Sequence, residues 1–312
     1  MKFKFLLSVV TQFLLLAPLI QTSAAGSSQS GTAVYADFQE GGVTTEEPES
    51  TSSITPGRVL PFRLSNGYLI LVNGQIGAQT RLKFILDTGA SISIVSSKIA
   101  DTLNLKRQPA GSFNFDRKLA WEQATVPEVR FGAIEATGIV MLVGDLAKYS
   151  EFARNVDAII GLDLLKFANF SVDYGVKKII IHSFSQGSPV NRNEALSNCL
   201  ILEIQVQGHP IRLIVDTGFP DILLFEERLL SKVPDLAITA DVFNVTLGNR
   251  LHGKRTTLHG VRIGQRSNDF SVLLTKAPAP DVLPGIDGVV GIGPLSARRV
   301  NFDFSKETLS WQ

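Results

Sequence analysis

The sequence predicts an all-β protein built from two similar lobes, with only a few short helices. Short apolar runs with strand-like alternation are separated by turn residues along most of the chain. One short triplet occurs twice, as Asp87-Thr88-Gly89 and as Asp216-Thr217-Gly218, and its surroundings repeat with it. The 312 residues, 44% of them hydrophobic, are enough for two ordinary domains with packed cores.

Strand-type runs occur in both halves of the chain. They lie at 68–72, 82–86, 139–143 and 178–182, and again at 200–206, 243–247, 261–263 and 270–274. Helical patterns are short, at 97–103 and 226–230. This balance indicates β-structure throughout.

The repeat extends beyond the triplets. Each triplet ends an alternating apolar run, and a basic residue, Lys83 or Arg212, stands four positions before each aspartate. An apolar-apolar-Gly segment follows, and its Gly161 lies 74 positions after Asp87. The matching Gly291 lies 75 positions after Asp216. A third pair of segments, 172–174 and 302–304, follows these glycines at equal distance. The chain therefore contains two copies of one unit of about 125 residues.

The N-terminal segment 1–25 has the pattern of a secretory signal peptide. Lys2 and Lys4 precede an apolar stretch over 5–20, and small residues at 22–25 suit cleavage after Ala25. An uncleaved membrane anchor is the alternative, but the stretch is short for a span and contains polar residues and a proline. We expect a secreted or periplasmic protein.

The remaining chain divides into a tether and two lobes. Residues 26–57 are rich in Gly, Ser, Thr and Glu, and we expect a flexible tether or a pro-segment there. We expect an N-terminal lobe over 58–185 and a C-terminal lobe over 186–312. The polar stretch 183–198 is interpreted as the linker between them.

Composition argues against several classes of function. A net charge of +1 gives no reason to expect nucleic acid as a partner. The four histidines show no metal-ligand spacing, so no metal and no cofactor are expected. Cys199, the only cysteine, cannot form an intrachain disulfide, and its apolar surroundings predict a buried, inert thiol.

The repeated triplet has the properties of a paired carboxylate site. A carboxylate at the end of a buried strand is costly unless it is hydrogen-bonded or shares its charge. The threonine supplies a hydroxyl for backbone or partner groups, and the glycine allows a tight turn and close approach. If two such loops meet across a pseudo-twofold axis, their carboxyls share one proton, because two like charges at short distance do not both ionise.

These motifs resemble those of the pepsin and retropepsin superfamily of aspartic proteases. In that superfamily each lobe has an Asp-Thr-Gly loop crossed by a strand with an apolar-apolar-Gly motif. The resemblance covers 60–312 and is closest to bacterial proteins with two fused retropepsin-like units. The residues that carry it are Asp87, Thr88, Gly89, Ile159, Ile160 and Gly161 in the first lobe, and Asp216, Thr217, Gly218, Val289, Val290 and Gly291 in the second.

The resemblance implies a bilobal, pepsin-like architecture of two β-barrel lobes and an aspartic endopeptidase activity. Asp87 and Asp216 are then the catalytic pair, and they activate a water molecule without a metal or a covalent intermediate. The substrate is a peptide or protein bound in the cleft between the lobes. The implied enzyme is a monomer with internal pseudo-twofold symmetry.

Two features depart from the family pattern. Ala90 follows the first triplet, as in retropepsins, but Phe219-Pro220 follows the second, where a small or hydroxyl residue is usual. The usual flap tyrosine is absent from the expected place; the segment 113–121, with Trp121, and the turn 247–250 are candidate flaps.

Three alternative functions remain open at this stage. Phe219-Pro220 favours a peptide-binding protein that keeps the fold but has lost turnover. A glycosidase also uses two carboxylates, but these need not lie in identical repeated turns; a structural β-protein is the third alternative. Other acidic residues near the motifs are interpreted as turn-forming or surface groups, namely Asp157, Asp163, Asp173, Asp287 and Asp303.

Overall fold

The computed structural model describes residues 58–114, 118–149, 155–185, 199–236, 241–247, 249–276 and 283–312. The expected signal peptide, the tether and most of the linker lie outside these residues. Within them, the chain forms strands with a few short helices, which confirms the predicted all-β, pepsin-like fold. No helix in the described part is long and apolar enough to cross a membrane.

The first half of the chain forms an eight-stranded sheet that curls toward closure. Its order is β2-β3-β4-β9-β5-β8-β7-β6, and an extra pairing of β3 with β7 brings distant strands together. The strands are β2 (Arg63–Ser65), β3 (Leu69–Ile76), β4 (Gln79–Leu86), β5 (Ile94–Ser96), β6 (Arg107–Asn114), β7 (Lys118–Phe131), β8 (Ile134–Gly144) and β9 (Ala158–Ile160). Helices α1 (Ser97–Thr102), α2 (Leu146–Tyr149) and α3 (Leu162–Leu165) follow β5, β8 and β9.

The second half repeats this arrangement with seven strands. Their order is β12-β13-β18-β14-β17-β16-β15, and β12 also pairs with β16. The strands are β12 (Ile201–Val206), β13 (His209–Val215), β14 (Ile222–Phe225), β15 (Asp241–Leu247), β16 (Asn249–Ile263), β17 (Arg266–Thr275) and β18 (Gly288–Val290). Helix α4 (Glu226–Lys232) follows β14, and a 3-10 turn (Gly293–Leu295) follows β18.

In both halves, the strand before the triplet pairs in parallel with the strand of the apolar-apolar-Gly motif. Leu86 at the end of β4 lies opposite Ile160 in β9. Val215 at the end of β13 lies opposite Val290 in β18. Each aspartate therefore emerges from the middle of a sheet, between buried strands, which fixes its position more firmly than an exposed loop would.

A third sheet contains strands from both halves. Its order is β1-β11-β10-β19-β20, and β10 pairs antiparallel with β19. At that junction the rings of Phe170 and Phe302 stack with centroids 4.9 Å apart, and both are buried. The strands are β1 (Val59–Pro61), β10 (Ala168–Asp173), β11 (Lys178–Phe184), β19 (Arg299–Asp303) and β20 (Thr308–Trp311). This sheet holds the two lobes side by side.

The hydrophobic core follows the alternation in the sequence. In β3, Ile70 and Val72 are buried while Asn73 is exposed, and in β12 every second residue points inward. One large cluster of buried apolar residues extends through both lobes and the shared sheet. Burial of such side chains is worth roughly 1.5–3 kcal/mol each, and the core supports the polar site that it surrounds.

Candidate active site

Asp87 and Asp216 lie at the ends of β4 and β13, and both are fully buried. Each carboxylate is held by its own turn. The backbone N–H of Gly89 donates to Oδ1 of Asp87 at 3.0 Å, and that of Gly218 donates to Oδ1 of Asp216 at 2.7 Å. The two loops thus have the same local geometry, as the repeated triplet predicts.

The threonines of the triplets bind the two loops to each other. The N–H of Thr88 donates to Oγ1 of Thr217, and the N–H of Thr217 donates to Oγ1 of Thr88, each at 3.1 Å. The two hydroxyls in turn donate to carbonyls of the opposite lobe: Thr88 to Val215 at 2.8 Å and Thr217 to Leu86 at 2.9 Å. These four buried bonds bring the predicted pair together across the lobes.

Gly89 lies against the carboxylate of the other lobe. A Cβ atom at this position would be 2.3 Å from Cγ of Asp216 and 2.5 Å from both of its carboxylate oxygens. No side chain fits in that space. Glycine is therefore required at this position because Asp216 occupies the space that a side chain would need. This requirement is additional to any need for a tight turn.

Burial raises the pKa of both aspartates well above the ordinary range for carboxyl groups. For Asp87 the negative charge of Asp216 raises the pKa further, while the N–H groups of Gly89 and Ala90 oppose the shift. For Asp216 the N–H of Gly218 opposes the effect of burial. No donor from the described residues reaches Oδ2 of either carboxyl. A proton shared by the two carboxyls satisfies both constraints.

The apolar-apolar-Gly strands support the loops from behind. The carbonyl of Ile160 accepts a hydrogen bond from the Asp87 N–H at 3.0 Å, and that of Val290 accepts one from Asp216 at 2.9 Å. A Cβ at Gly161 would lie 2.6 Å from the Ala90 carbonyl oxygen. A Cβ at Gly291 would lie 2.0 Å from that of Phe219. Both glycines let the loop rest directly on the crossing strand.

Phe219 does not distort the second loop. Its N–H donates to the Asp216 carbonyl at 3.2 Å, as the N–H of Ala90 does to the Asp87 carbonyl. Its side chain is only 1% exposed and fills the interior instead of the cleft. The doubt that the sequence raised about this loop's geometry is therefore removed.

Large and small residues occupy exchanged positions in the two lobes. In the first lobe, Trp121 belongs to the same buried cluster as Ala90. The strand registers make Trp121 and Gly253 equivalent positions in the two lobes. Glu122, which follows Trp121, lies opposite Val143, and Lys254, which follows Gly253, lies opposite Leu274. The first lobe has a large residue in the strand and a small residue in the loop. The second lobe has a small residue in the strand and a large residue in the loop.

A buried carboxylate network, missed by the sequence analysis, supports the first loop only. Asp163 in α3 accepts hydrogen bonds from the hydroxyl of Ser93 at 2.6 Å and from its N–H at 2.9 Å. The Ser93 hydroxyl also accepts the N–H of Gly161 at 3.0 Å. Asp163 is thus a partly buried support of the first loop as well as a residue of the first helical turn. The second lobe has Gly293 and Ile222 at the corresponding positions.

The other acidic residues divide into two groups. Asp157 and Asp287 brace strands: each accepts the backbone N–H of the basic residue before the triplet, Lys83 at 2.9 Å and Arg212 at 2.8 Å. Lys232 adds an ion pair to Asp287 at 2.6 Å. Asp173 and Asp303 do form turns, as expected, by accepting N–H groups two or three residues later.

The candidate flaps coincide with hairpins. Strands β6 and β7 pair along 107–124, and β15 pairs with β16 along 241–255. Trp121 is buried at the base of the first hairpin. Residues 115–117 and 248, at the two turns, lie outside the described residues, so the flap assignment stays a prediction.

Cys199 lies near the second aspartate but has the properties of an inert thiol. Burial, with a smaller effect of the Asp216 charge, raises the pKa of Cys199 to about 12, so the thiolate is not populated at ordinary pH. Among the described residues, no group of three His, Cys, Asp or Glu side chains is placed to hold a metal ion.

Replacing Thr88 with valine should weaken the attachment of the two lobes to each other and so lower the stability of the protein. The change keeps the shape of the side chain but removes the hydroxyl, so the Thr217 N–H and the Val215 carbonyl lose their partners in a buried site. We expect unfolding free energy to fall by about 2–4 kcal/mol in chemical denaturation. Thr88→Ser keeps the hydroxyl and should cost much less. Equal stability of the two variants would contradict the assigned role of the hydroxyl.

Asp163 should make stability depend on pH. Burial raises the pKa of Asp163 to about 6, against the opposing bonds from Ser93. Because the folded-state pKa lies above that of the unfolded chain, the contribution to stability is fully present below about pH 4. It is lost as pH rises through about 6, and amounts to about 3 kcal/mol.

The measurement is the unfolding free energy of the wild type and of Asp163→Asn between pH 4 and pH 8. The asparagine cannot ionise, so the difference between the two curves should change across pH 4–6. The comparison is needed because the pKa values of Asp87 and Asp216 are raised too and act in the same direction. Ser93→Ala removes the hydroxyl bond that opposes the effect of burial, while the backbone N–H bond remains, and should move the change to higher pH. A difference that is constant with pH would contradict the assignment.

Comparison with known proteins agrees with the motifs and the geometry. Residues 72–167, which include the first triplet and Gly161, match a family described as gag-polyprotein putative aspartyl protease. No curated protein matches the chain. Among solved structures, a retropepsin-like aspartic protease from Rickettsia conorii is 22% identical over 39% of this chain and 90% of that chain, with a TM-score of 0.31. The family match contains the first triplet and its crossing strand, and the second lobe repeats the same loop geometry outside the matched residues.

Proposed function

We propose that the protein is an aspartic endopeptidase that hydrolyses peptide bonds with water activated between Asp87 and Asp216. The observation that supports this most directly is the pairing of two fully buried carboxyls from different lobes. Each has one oxygen held by its own glycine N–H and the other without a donor among the described residues. Such a pair has an acid and a base at one place, which amide hydrolysis requires.

In the proposed reaction, the ionised carboxylate of the pair takes a proton from a water molecule as the water oxygen attacks the scissile carbonyl carbon. The protonated carboxyl donates its proton to the carbonyl oxygen, so a neutral tetrahedral diol forms. When the C–N bond breaks, the departing nitrogen receives a proton from the protonated carboxyl, and the other carboxylate takes a proton from a diol hydroxyl. A carboxylic acid is left, and the pair again holds one proton. The pair titrates as a unit, so its single proton belongs to neither residue alone.

The threonine bonds between the loops have a mechanistic role in this proposal. They fix the spacing of the carboxyls before substrate arrives, so no reorganisation is needed when charge moves in the transition state. Gly89, in contact with Asp216, keeps larger groups out of the space between the carboxyls. The attack by water therefore needs no covalent intermediate.

The substrate in this proposal is a peptide or protein bound in the cleft between the lobes. Since both aspartates are in one chain and already paired, a monomer suffices for activity. The signal-like pattern of residues 1–25 supports a secreted or periplasmic location. The rival hypothesis, a peptide-binding protein without turnover, depended on Phe219-Pro220, and the regular geometry of that loop removes its main support.

Asp87→Asn and Asp216→Asn should each reduce kcat by at least ~10²–10⁴-fold, because an amide can neither give nor take the shared proton. The assay follows cleavage of a broad library of fluorogenic peptides, with thermal unfolding as the test of folding. Asp269→Asn is a suitable control, since Asp269 is an exposed partner of His259 in the β16–β17 hairpin. Near-normal turnover by either dyad variant would rule out the proposed pair.

Peptidase activity should be highest under weakly acidic to neutral conditions. Because burial raises the pKa of both carboxyls, the singly protonated pair persists to higher pH than it would in an open, hydroxyl-rich site. Neither Ala90 nor Phe219 supplies a hydroxyl that would oppose this.

Ala90→Ser tests the pH argument. A hydroxyl beside Asp87 should stabilise its ionised form and move the basic limb of the kcat/KM profile to lower pH. The wild type and Ser91→Ala, a change one position further on, are measured in parallel, and Ser91→Ala should leave that limb in place. A basic limb that stays in place or moves upward in Ala90→Ser would contradict the argument.

A further inference from the structure

Tyr68 lies at the edge of the first lobe's sheet, next to the first triplet. It directly precedes β3, and β3 pairs with β4 so that Ile70 lies opposite Leu86. When this register is continued by two residues from Ile70, Tyr68 lies beside the turn that follows Asp87. Its ring packs against the buried cluster that contains Ala90 and Trp121.

The hydroxyl of Tyr68 is buried, and no described residue forms a hydrogen bond with it. An unpaired hydroxyl in a buried position costs stability, whereas a phenylalanine would fill the same space without that cost. The presence of tyrosine at this position is accounted for if its hydroxyl forms a hydrogen bond with a ligand that is present only when the site is occupied.

The electrostatic surroundings agree with the position that strand register and packing give Tyr68. The pKa of Tyr68 is raised chiefly by burial, and then by the charges of Asp216, Asp87 and Asp221. These three carboxyls come from both lobes, so a residue of the first lobe is placed at the site where the lobes meet. At any working pH the phenol remains protonated, and it is therefore available as a donor.

Tyr174 is a useful contrast within the same chain. Burial alone raises the pKa of Tyr174, and no carboxylate contributes. Its ring packs edge-on against Phe62, with centroids 5.8 Å apart, beside the sheet shared by the lobes. A buried phenol in this fold thus need not lie close to the paired aspartates.

The neighbouring charges restrict what the Tyr68 hydroxyl can bind. Three carboxyls nearby disfavour an anionic group, since like charges repel strongly in a poorly solvated site. The acceptor is therefore a neutral oxygen. The neutral acceptor that every peptide presents next to its scissile bond is a main-chain carbonyl.

We propose that the Tyr68 hydroxyl donates a hydrogen bond to a main-chain carbonyl oxygen of the bound peptide, beside the scissile bond. This makes Tyr68 a substrate-binding residue in addition to the two aspartates. The inference depends on the proposed peptidase function, because it requires a peptide in the cleft. It also explains why the hydroxyl is buried without a partner in the free protein.

The test is Tyr68→Phe, measured by steady-state cleavage of a peptide found with the fluorogenic library. Loss of one hydrogen bond made equally in the ground state and the transition state should raise KM about 10-fold and leave kcat unchanged. The dissociation constant of a statine-containing peptide should rise by a similar factor. The thermal midpoint should stay the same or increase, because the free protein loses no hydrogen bond. Tyr174→Phe is the matched control and should leave KM unchanged.

The outcomes separate this inference from the proposed function. Unchanged KM and unchanged affinity for the statine peptide in Tyr68→Phe, with an active wild type, would overturn the inference and leave the peptidase proposal standing. A lower thermal midpoint with unchanged KM would assign the hydroxyl a structural role and overturn the inference too. If the wild type cleaves no peptide but binds the statine peptide, only the peptidase proposal fails, and calorimetry of wild type and Tyr68→Phe then tests the hydrogen bond directly.

Discussion

The four hydrogen bonds between the loops of Thr88 and Thr217 are the constraint on which the site depends. Each threonine donates through its backbone N–H and its hydroxyl, and accepts through the hydroxyl, across the junction of the lobes. Because all of these groups are buried, none can exchange its partner for water without a large cost. The spacing of the two carboxyls is therefore set by bonds that do not involve the carboxyls, which remain available for chemistry.

The two lobes keep the polar contacts at this junction and differ in the packing around it. The first lobe has Ala90 and Trp121 at the positions where the second has Phe219 and Gly253. The first loop is held by the Ser93–Asp163 pair, which the second lobe lacks. Such exchanges conserve volume or local order by different means, so each lobe presents the same carboxylate geometry from a different interior.

The fold and the aspartate pair could be predicted because their signals are local and occur twice. Alternation over 82–86 and the triplet that follows it are readable within a few residues, and the second copy confirms the reading. Tyr68 and the Ser93–Asp163 pair could not be predicted in the same way. Their roles arise from contacts between distant segments, and spacing along the chain does not reveal which way a side chain points. Phe219 was interpreted as a departure, and the replacement of Trp121 by Gly253 in the second lobe is recognisable only from strand register.

The shared sheet has a consequence for how the molecule is made. Strand β10 of the first lobe pairs with β19 of the second, and β20 completes that sheet. Contacts between such distant parts of the chain form slowly and only after both have left the ribosome. Asp87 therefore lacks its partner until the second half of the chain has folded against the first. The first lobe alone therefore has one aspartate and no partner to share a proton with, and the paired site exists only when both lobes have folded.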